Sequence, residues 1–214
     1  MTIPYPILAG RHVRLEPLEL HHAPALAAAS GADPSLYQWS PVPQGPDAAR
    51  AYIETAMAAR QAGTALPFAT VRLADSKVVG STRFFEMERW KWPAGHPRHG
   101  RGSPDVCEIG YTWLAADALR TAVNTEAKLL MLTYAFETWQ VDRVCLHTDA
   151  RNQRSRAAIE RMGGKFEGVL RAHRMAADFI PRDSFRYSIV AAEWPEVKRT
   201  LADRLGRDRC EADC

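Results

Sequence analysis

The sequence contains no apolar run near the roughly 18 residues that a membrane-crossing helix needs, so no membrane partner is expected. Its first residues, Met-Thr-Ile-Pro-Tyr-Pro, lack a basic segment followed by an apolar one. No secretory signal is read there, and the expected compartment is the cytoplasm. Cysteine is scarce, with four among 214 residues. Cys107 and Cys145 fall in apolar segments as ordinary core thiols, and neither has an obvious histidine partner that would make it a nucleophile. Cys210 and Cys214 lie on a polar tail. Their C-x3-C spacing has no companion Cys or His pair, so no metal site is expected. Neither sign of charge dominates: 28 Lys and Arg face 25 Asp and Glu, for a net charge of +3. That mild excess, with Arg98 and Arg101, is too little to make nucleic acid an expected partner. There is no glycine-rich dinucleotide fingerprint after a strand, no Walker A sequence and no G-x-S-x-G elbow. Internal repeats and low-complexity tracts are absent too.

What is present is a chain that is 46% hydrophobic and 25% charged. That composition suits one α/β domain, assigned to 1–206, followed by a polar tail over 207–214. Alternation predicts a first strand over 8–18, with Val13 and Leu15 inward. An Ala-rich helix is expected over 20–30, stopped by Gly31, and a proline-rich loop over 33–46 anchored by Leu36, Tyr37 and Trp39. A second helix spans 47–62, opened by Pro46 and Asp47 and stopped by Gly63. Strands over 66–73 and 77–87 flank a tight turn. The segment 89–104 holds Trp90, Trp92, His96 and His99 among prolines, glycines and arginines. It reads as a long loop, either a solvated insertion or the mouth of a substrate site.

From 106 to 174 the pattern sharpens. A strand over 106–114 precedes a helix over 125–139, a strand over 143–148 and a helix over 152–162 closed by Gly163-Gly164. Strands over 165–175 and 184–190 follow, then a terminal helix over 194–205. Two helices that each open directly after a strand place two sets of unpaired backbone N–H groups at one end of a sheet. Such ends receive phosphate-bearing ligands.

This stretch resembles the GNAT acetyltransferase family, RimJ/RimL-type branch. The likeness is carried by Glu108-Ile-Gly-Tyr-Thr-Trp-Leu114, by Asn124-Thr-Glu-Ala-Lys128 with Tyr134-Ala-Phe136, and by Asp149-Ala-Arg-Asn-Gln-Arg-Ser155. It continues through Ala158-Ile-Glu-Arg-Met-Gly-Gly-Lys-Phe-Glu-Gly-Val-Leu-Arg171, and is diffuse before residue 106. The resemblance implies a mixed central β-sheet with helices on both faces, splayed where acetyl-CoA enters. The strands ending near 114 and starting near 143 should part there. It implies acetyl-CoA as co-substrate and direct transfer of the acetyl group to a primary amine in a ternary complex. The acceptor, a protein N-terminus or a small molecule, is not legible.

The family's pyrophosphate turn, Q/R-x-x-G-x-G/A, falls on Leu119, Ala122 and Asn124, and all three depart from it. A methyl group at Ala122 could block a close approach or forbid a positive φ. That departure motivates the alternative of a non-catalytic CoA-binding or protein-interaction module. By the resemblance, Trp113, Leu114, Arg120, Thr121, Ala122, Val123, Asn124, Thr125, Asn152 and Ser155 meet the cofactor. Asn152 holds the pantetheine arm, and Ser155 protonates the leaving thiolate. Both residue types are also ordinary helix caps. Glu108 is the candidate base, or else an exposed strand carboxylate paired with Arg83. Trp39, Trp90 and Trp92 are the candidate substrate contacts. A homodimer is compatible with such a domain.

Overall fold

The computed structural model describes residues 5–176 and 178–212, with side chains as far as Gly206. Eight strands form one sheet: β1 (Leu8–Ala9), β2 (Val13–Pro17), β3 (Ala65–Arg72), β4 (Lys77–Glu88), β5 (Val106–Leu114), β6 (Arg143–Asp149), β7 (Lys165–Met175) and β8 (Pro181–Val190). Their spatial order is β1-β2-β3-β4-β5-β6-β8-β7. Every neighbouring pair is antiparallel except β5 and β6. A parallel pair needs a long crossover. Here it is α3 (Ala122–Thr133), which widens into a π-turn over Tyr134–Trp139.

Helices α1 (Ala23–Gly31) and α2 (Pro46–Gln61) cover one face. Leu18, Leu26, Ile53, Ala56, Ala69 and Trp113 pack there. Helix α3 and the start of α5 (Trp194–Ala212) cover the other face. Val13, Phe68, Phe84, Ile109, Met131, Ile189 and Leu201 form that larger core. Helix α4 (Gln153–Arg161) closes on Gly163, whose φ of +96° suits glycine, and a Cβ there would lie 2.8 Å from Val197 of α5. The expected elements are all found, most within a residue or two. Four differ. The first expected strand is split at Gly10-Arg11-His12, α3 begins at Ala122 instead of 125, β8 begins at Pro181 instead of 184, and α5 continues to Ala212 instead of ending at 205. The expected tail over 207–214 is thus helical as far as Ala212, while Cys214 lies outside the described residues.

Two buried polar side chains of α3 tie the faces together. The Glu126 carboxylate accepts from the backbone N–H of Arg11 (2.9 Å), His12 (2.6 Å) and Val13 (2.9 Å), and so fixes the turn between β1 and β2. The Lys128 amine donates to Thr82 Oγ1 of β4 (2.9 Å) and Thr112 Oγ1 of β5 (2.6 Å). Those two hydroxyls also bond one another at 2.8 Å.

Glu126→Ala strands three donors and is expected to destabilise the protein by about 3 kcal/mol, read from urea unfolding. A loss below about 0.5 kcal/mol would mean that water replaces the carboxylate. Burial pushes Lys128 down from 10.5 to about 7. Between those values the unfolded chain binds more protons than the folded one, so this group makes stability rise with pH from about 7 to 10.5. Lys128→Met should flatten that rise by up to about 1.4 kcal/mol per pH unit, measured as urea midpoints from pH 7 to 10. An identical slope in the variant would mean that Lys128 is charged in the fold.

Candidate active site

β5 and β6 pair over only three positions: Val106 with Arg143, Cys107 with Val144, and Glu108 with Cys145. Beyond Glu108 they part. β5 stays bonded to β4 as far as Leu114, and β6 stays bonded to β8 as far as Asp149. The divergence follows from a bulge. Arg83 opposes Gly110 and Ser81 opposes Trp113, so β5 carries one residue more than β4 over that span. The extra residue includes Tyr111 in its neighbourhood, at a φ of +50°. Gly110 is required beside it, because a Cβ would meet the Phe85 ring at 2.8 Å.

Glu108 therefore stands at the vertex of the splay, 3% exposed. It lines a cavity of about 830 Å3 on the α2 side of the sheet, with Arg83, Phe85, Glu86, Tyr111, His147 and His173. Its Oε2 lies 2.7 Å from Nδ1 of His147 and 3.8 Å from the Arg174 guanidinium, which also pairs with Glu86. The His147 and His173 rings lie 5.1 Å apart. Burial, with Arg174 and His147 nearby, holds His173 below the ordinary histidine value. The expectation of an exposed carboxylate paired with Arg83 is corrected: Glu108 is buried and makes no ion pair with Arg83, and its nearest basic group is His147, 2.7 Å away but not in hydrogen-bonding geometry. His147, His173 and Arg174 carried no local motif. β6 and β7 are remote from β5 in sequence, and the fold alone brings them to Glu108.

At the open end of the splay, Thr121 caps α3. Its hydroxyl accepts from Val123 N–H (3.3 Å) and donates to Ala118 O (2.8 Å). Helix geometry then leaves the N–H groups of Ala122 and Asn124 unpaired. The positive φ in this turn belongs to Arg120, at +60°, while Ala122 is the first helical residue. No positive φ is required of Ala122. Val123 is different: its side chain is core and its N–H is shared with the cap hydroxyl. The side chains of Trp113 and Leu114 are buried in the two cores, which restricts them to backbone contacts. Thr125 is half-buried on the first turn of α3.

Asn152 caps α4, its Oδ1 accepting from Ser155 N–H at 3.0 Å. Its amide N–H groups and the Ser155 hydroxyl make no hydrogen bond among the described residues, so the cap leaves donors available.

The three candidate tryptophans do not line the cavity. Trp39 lies on the Arg151 guanidinium, 4.1 Å away, beside the start of α4. Trp90 and Trp92 are held at the beginning of β5 by the buried Asp105 carboxylate, which accepts from Trp90 N–H (2.7 Å) and Trp92 Nε1 (2.9 Å). Burial pushes Asp105 up, but these bonds and the Arg101 charge hold it below the ordinary aspartate value. Asp105 thus pins the 89–104 loop, whose Arg89 lines the cavity, and Arg98 and Arg101 are paired to Asp142 and Asp105. One trio with metal-ligand chemistry occurs among the described residues: Glu16, His21 and His22. Within it, Glu16 already pairs with Arg14 and His22, and His22 Nδ1 is bonded to Glu19. No described helix is long and apolar enough to cross a membrane.

Comparison with known proteins agrees with this geometry. Residues 12–165 match the model of the acetyltransferase (GNAT) domain. YdaF of Bacillus subtilis, which carries the provisional name of a ribosomal N-acetyltransferase, is 34% identical over 91 residues. That match spans 42% of this chain and about half, 49%, of YdaF. A GCN5-related N-acetyltransferase from Brucella melitensis superposes with a TM-score of 0.80 at 27% identity, over 95% of this chain and 86% of the other. Mycobacterium smegmatis RimJ, solved with CoA-disulfide, superposes at 0.73 with 23% identity, over 92% and 91% of the two chains. The chain belongs to the GNAT acetyltransferase family, with relatives that support its RimJ/RimL-type branch.

Proposed function

We propose that the protein moves the acetyl group of acetyl-CoA directly to a primary amine. The observation that carries this reading is the parting of β5 from β6 at Glu108, with a cavity beside that vertex and two helix starts at the open end. The residues present fit acetyl-CoA. The edge of β5 beyond Glu108 is unpaired toward β6, and Ala122 and Asn124 present N–H groups at the positive end of α3. Arg120, Thr121 and Asn152 would hold the cofactor alongside them. Acetyl-CoA supplies an activated acyl thioester when bound.

The chain's own residues supply the rest. Glu108 takes the proton from the attacking ammonium, directly or through one water, and His147 holds the carboxylate in place. Ser155 Oγ gives a proton to the departing thiolate. The amine's lone pair forms the new C–N bond as the C–S bond breaks, the nitrogen gives its second proton to water, Ser155 regains its proton from water, and no enzyme-bound acyl group is needed. Holding the two reactants side by side contributes much of the acceleration. The provisional name of YdaF favours a protein N-terminus as acceptor.

Calorimetry should detect CoA binding, and an amine panel should release free thiol from acetyl-CoA. No binding at near-millimolar CoA would sink the proposal. Glu108→Gln is expected to lower kcat about a hundredfold with CoA affinity within twofold. Unchanged turnover would remove Glu108 from proton transfer. Asn152→Ser keeps a cap oxygen but loses the amide donors. It should fold normally and bind CoA about tenfold more weakly. Equal affinity would leave Asn152 as a cap alone.

A further inference from the structure

Arg83 has no counterpart in the chemistry described above. It sits in the middle of β4, 5% exposed, on the face that lines the cavity. Its guanidinium lies 3.9 Å from the centre of the Tyr111 ring and 5.0 Å from that of Tyr52. Its Nε is buried without an acceptor, and no ion pair or hydrogen bond reaches the guanidinium among the described residues. The acids nearby make no ion pair with it. Glu86 pairs with Arg174, Glu88 accepts from the Trp90 indole, and Glu108 Oε2 lies 2.7 Å from His147 Nδ1 without a hydrogen-bonding angle.

A buried cation without a carboxylate is costly, and stacking on two aromatic rings offsets that cost only in part. Arginine presents five donors in a rigid fork that matches a carboxylate, so an unfilled fork facing a cavity is an anion receptor. Arg83 opposes Gly110 of β5, two residues along the strand from Glu108. That separation is roughly 7 Å, at about 3.4 Å per strand residue. One small molecule or chain end can reach both groups.

We infer that the acceptor is an amine that carries its own carboxylate: the amino group meets Glu108 while the carboxylate is clamped by Arg83 between Tyr52 and Tyr111. This inference rests on the acetyl-transfer reading and narrows it to acidic amines, either free amino acids or peptides with an acidic residue at the N-terminus. Neutral and cationic amines would leave the guanidinium unpaired and would be poorer acceptors.

Matched acceptors that differ only in this charge provide the test. An amino acid is compared with its amide, and a tripeptide beginning with Asp with one beginning with Asn. Thiol release from acetyl-CoA is the readout. The acidic member of at least one pair should be favoured in kcat/KM by about tenfold or more. Arg83→Gln should abolish that preference mainly through KM, and Arg83→Lys should restore part of it. Because Arg83 is an unpaired buried charge, the Gln variant should melt no lower than the native protein. Equal use of both members, a preference that survives in Arg83→Gln, or a melting temperature several degrees lower would overturn the inference. The first of these leaves acetyl transfer intact. If no acceptor is turned over at all, acetyl transfer itself fails, and calorimetry of the acidic peptides against the protein then decides the Arg83 site. No binding ends it.

Discussion

The structure depends on a single short parallel pairing. β5 and β6 are the one parallel pair of neighbours, and their hydrogen bonds cease after Glu108 and Cys145. Each strand is better held on its other side, β5 by β4 and β6 by β8, so the sheet opens at this seam without breaking apart. A β-bulge near Tyr111 and a glycine at 110 aim β5 away from β6. The cavity beside Glu108 and the gap that faces the starts of α3 and α4 both follow from that parting.

On the covered side of the seam, buried polar groups do the holding. Lys128 reaches through the α3 face to hydroxyls on β4 and β5, next to the bulge. Glu126, two residues earlier, secures the first turn of the chain. On the open side, polar groups lack comparable pairing. Arg83 has no anion, and the hydroxyl of Ser155 and the amide of Asn152 have donors to spare. Asp105 differs from these: its carboxylate accepts from Trp90, Trp92 and Arg101. Those bonds turn an aromatic, basic loop into a buttress at the start of β5.

Much of the fold was legible from periodicity and punctuation. Strands with inward alternation, Pro46 at a helix start and Gly163 at a helix end each act through neighbouring residues, so their consequences are local. The start of α3 was misplaced by three residues because Thr121, a threonine in an unremarkable turn, turned out to be the cap. The site was legible only in part. Glu108, Asn152 and Ser155 were proposed through a family resemblance, and periodicity did not show which side chains of their companions point into the core. Val123, Trp113 and Leu114 are core side chains, and the tryptophans at 39, 90 and 92 stand apart from the cavity.

The sequence by itself determined the order of the elements, their ends and the family, because those depend on residue types at short spacing. Tertiary structure alone decided which side chains share the vertex. His147, His173 and Arg174 reach Glu108 only when β6 and the β7–β8 hairpin join the sheet. Arg83 faces the same cavity only because β4 pairs with β5 in the register that sets it opposite Gly110. Pairing between distant strands is a matter of register and burial, which no local pattern encodes.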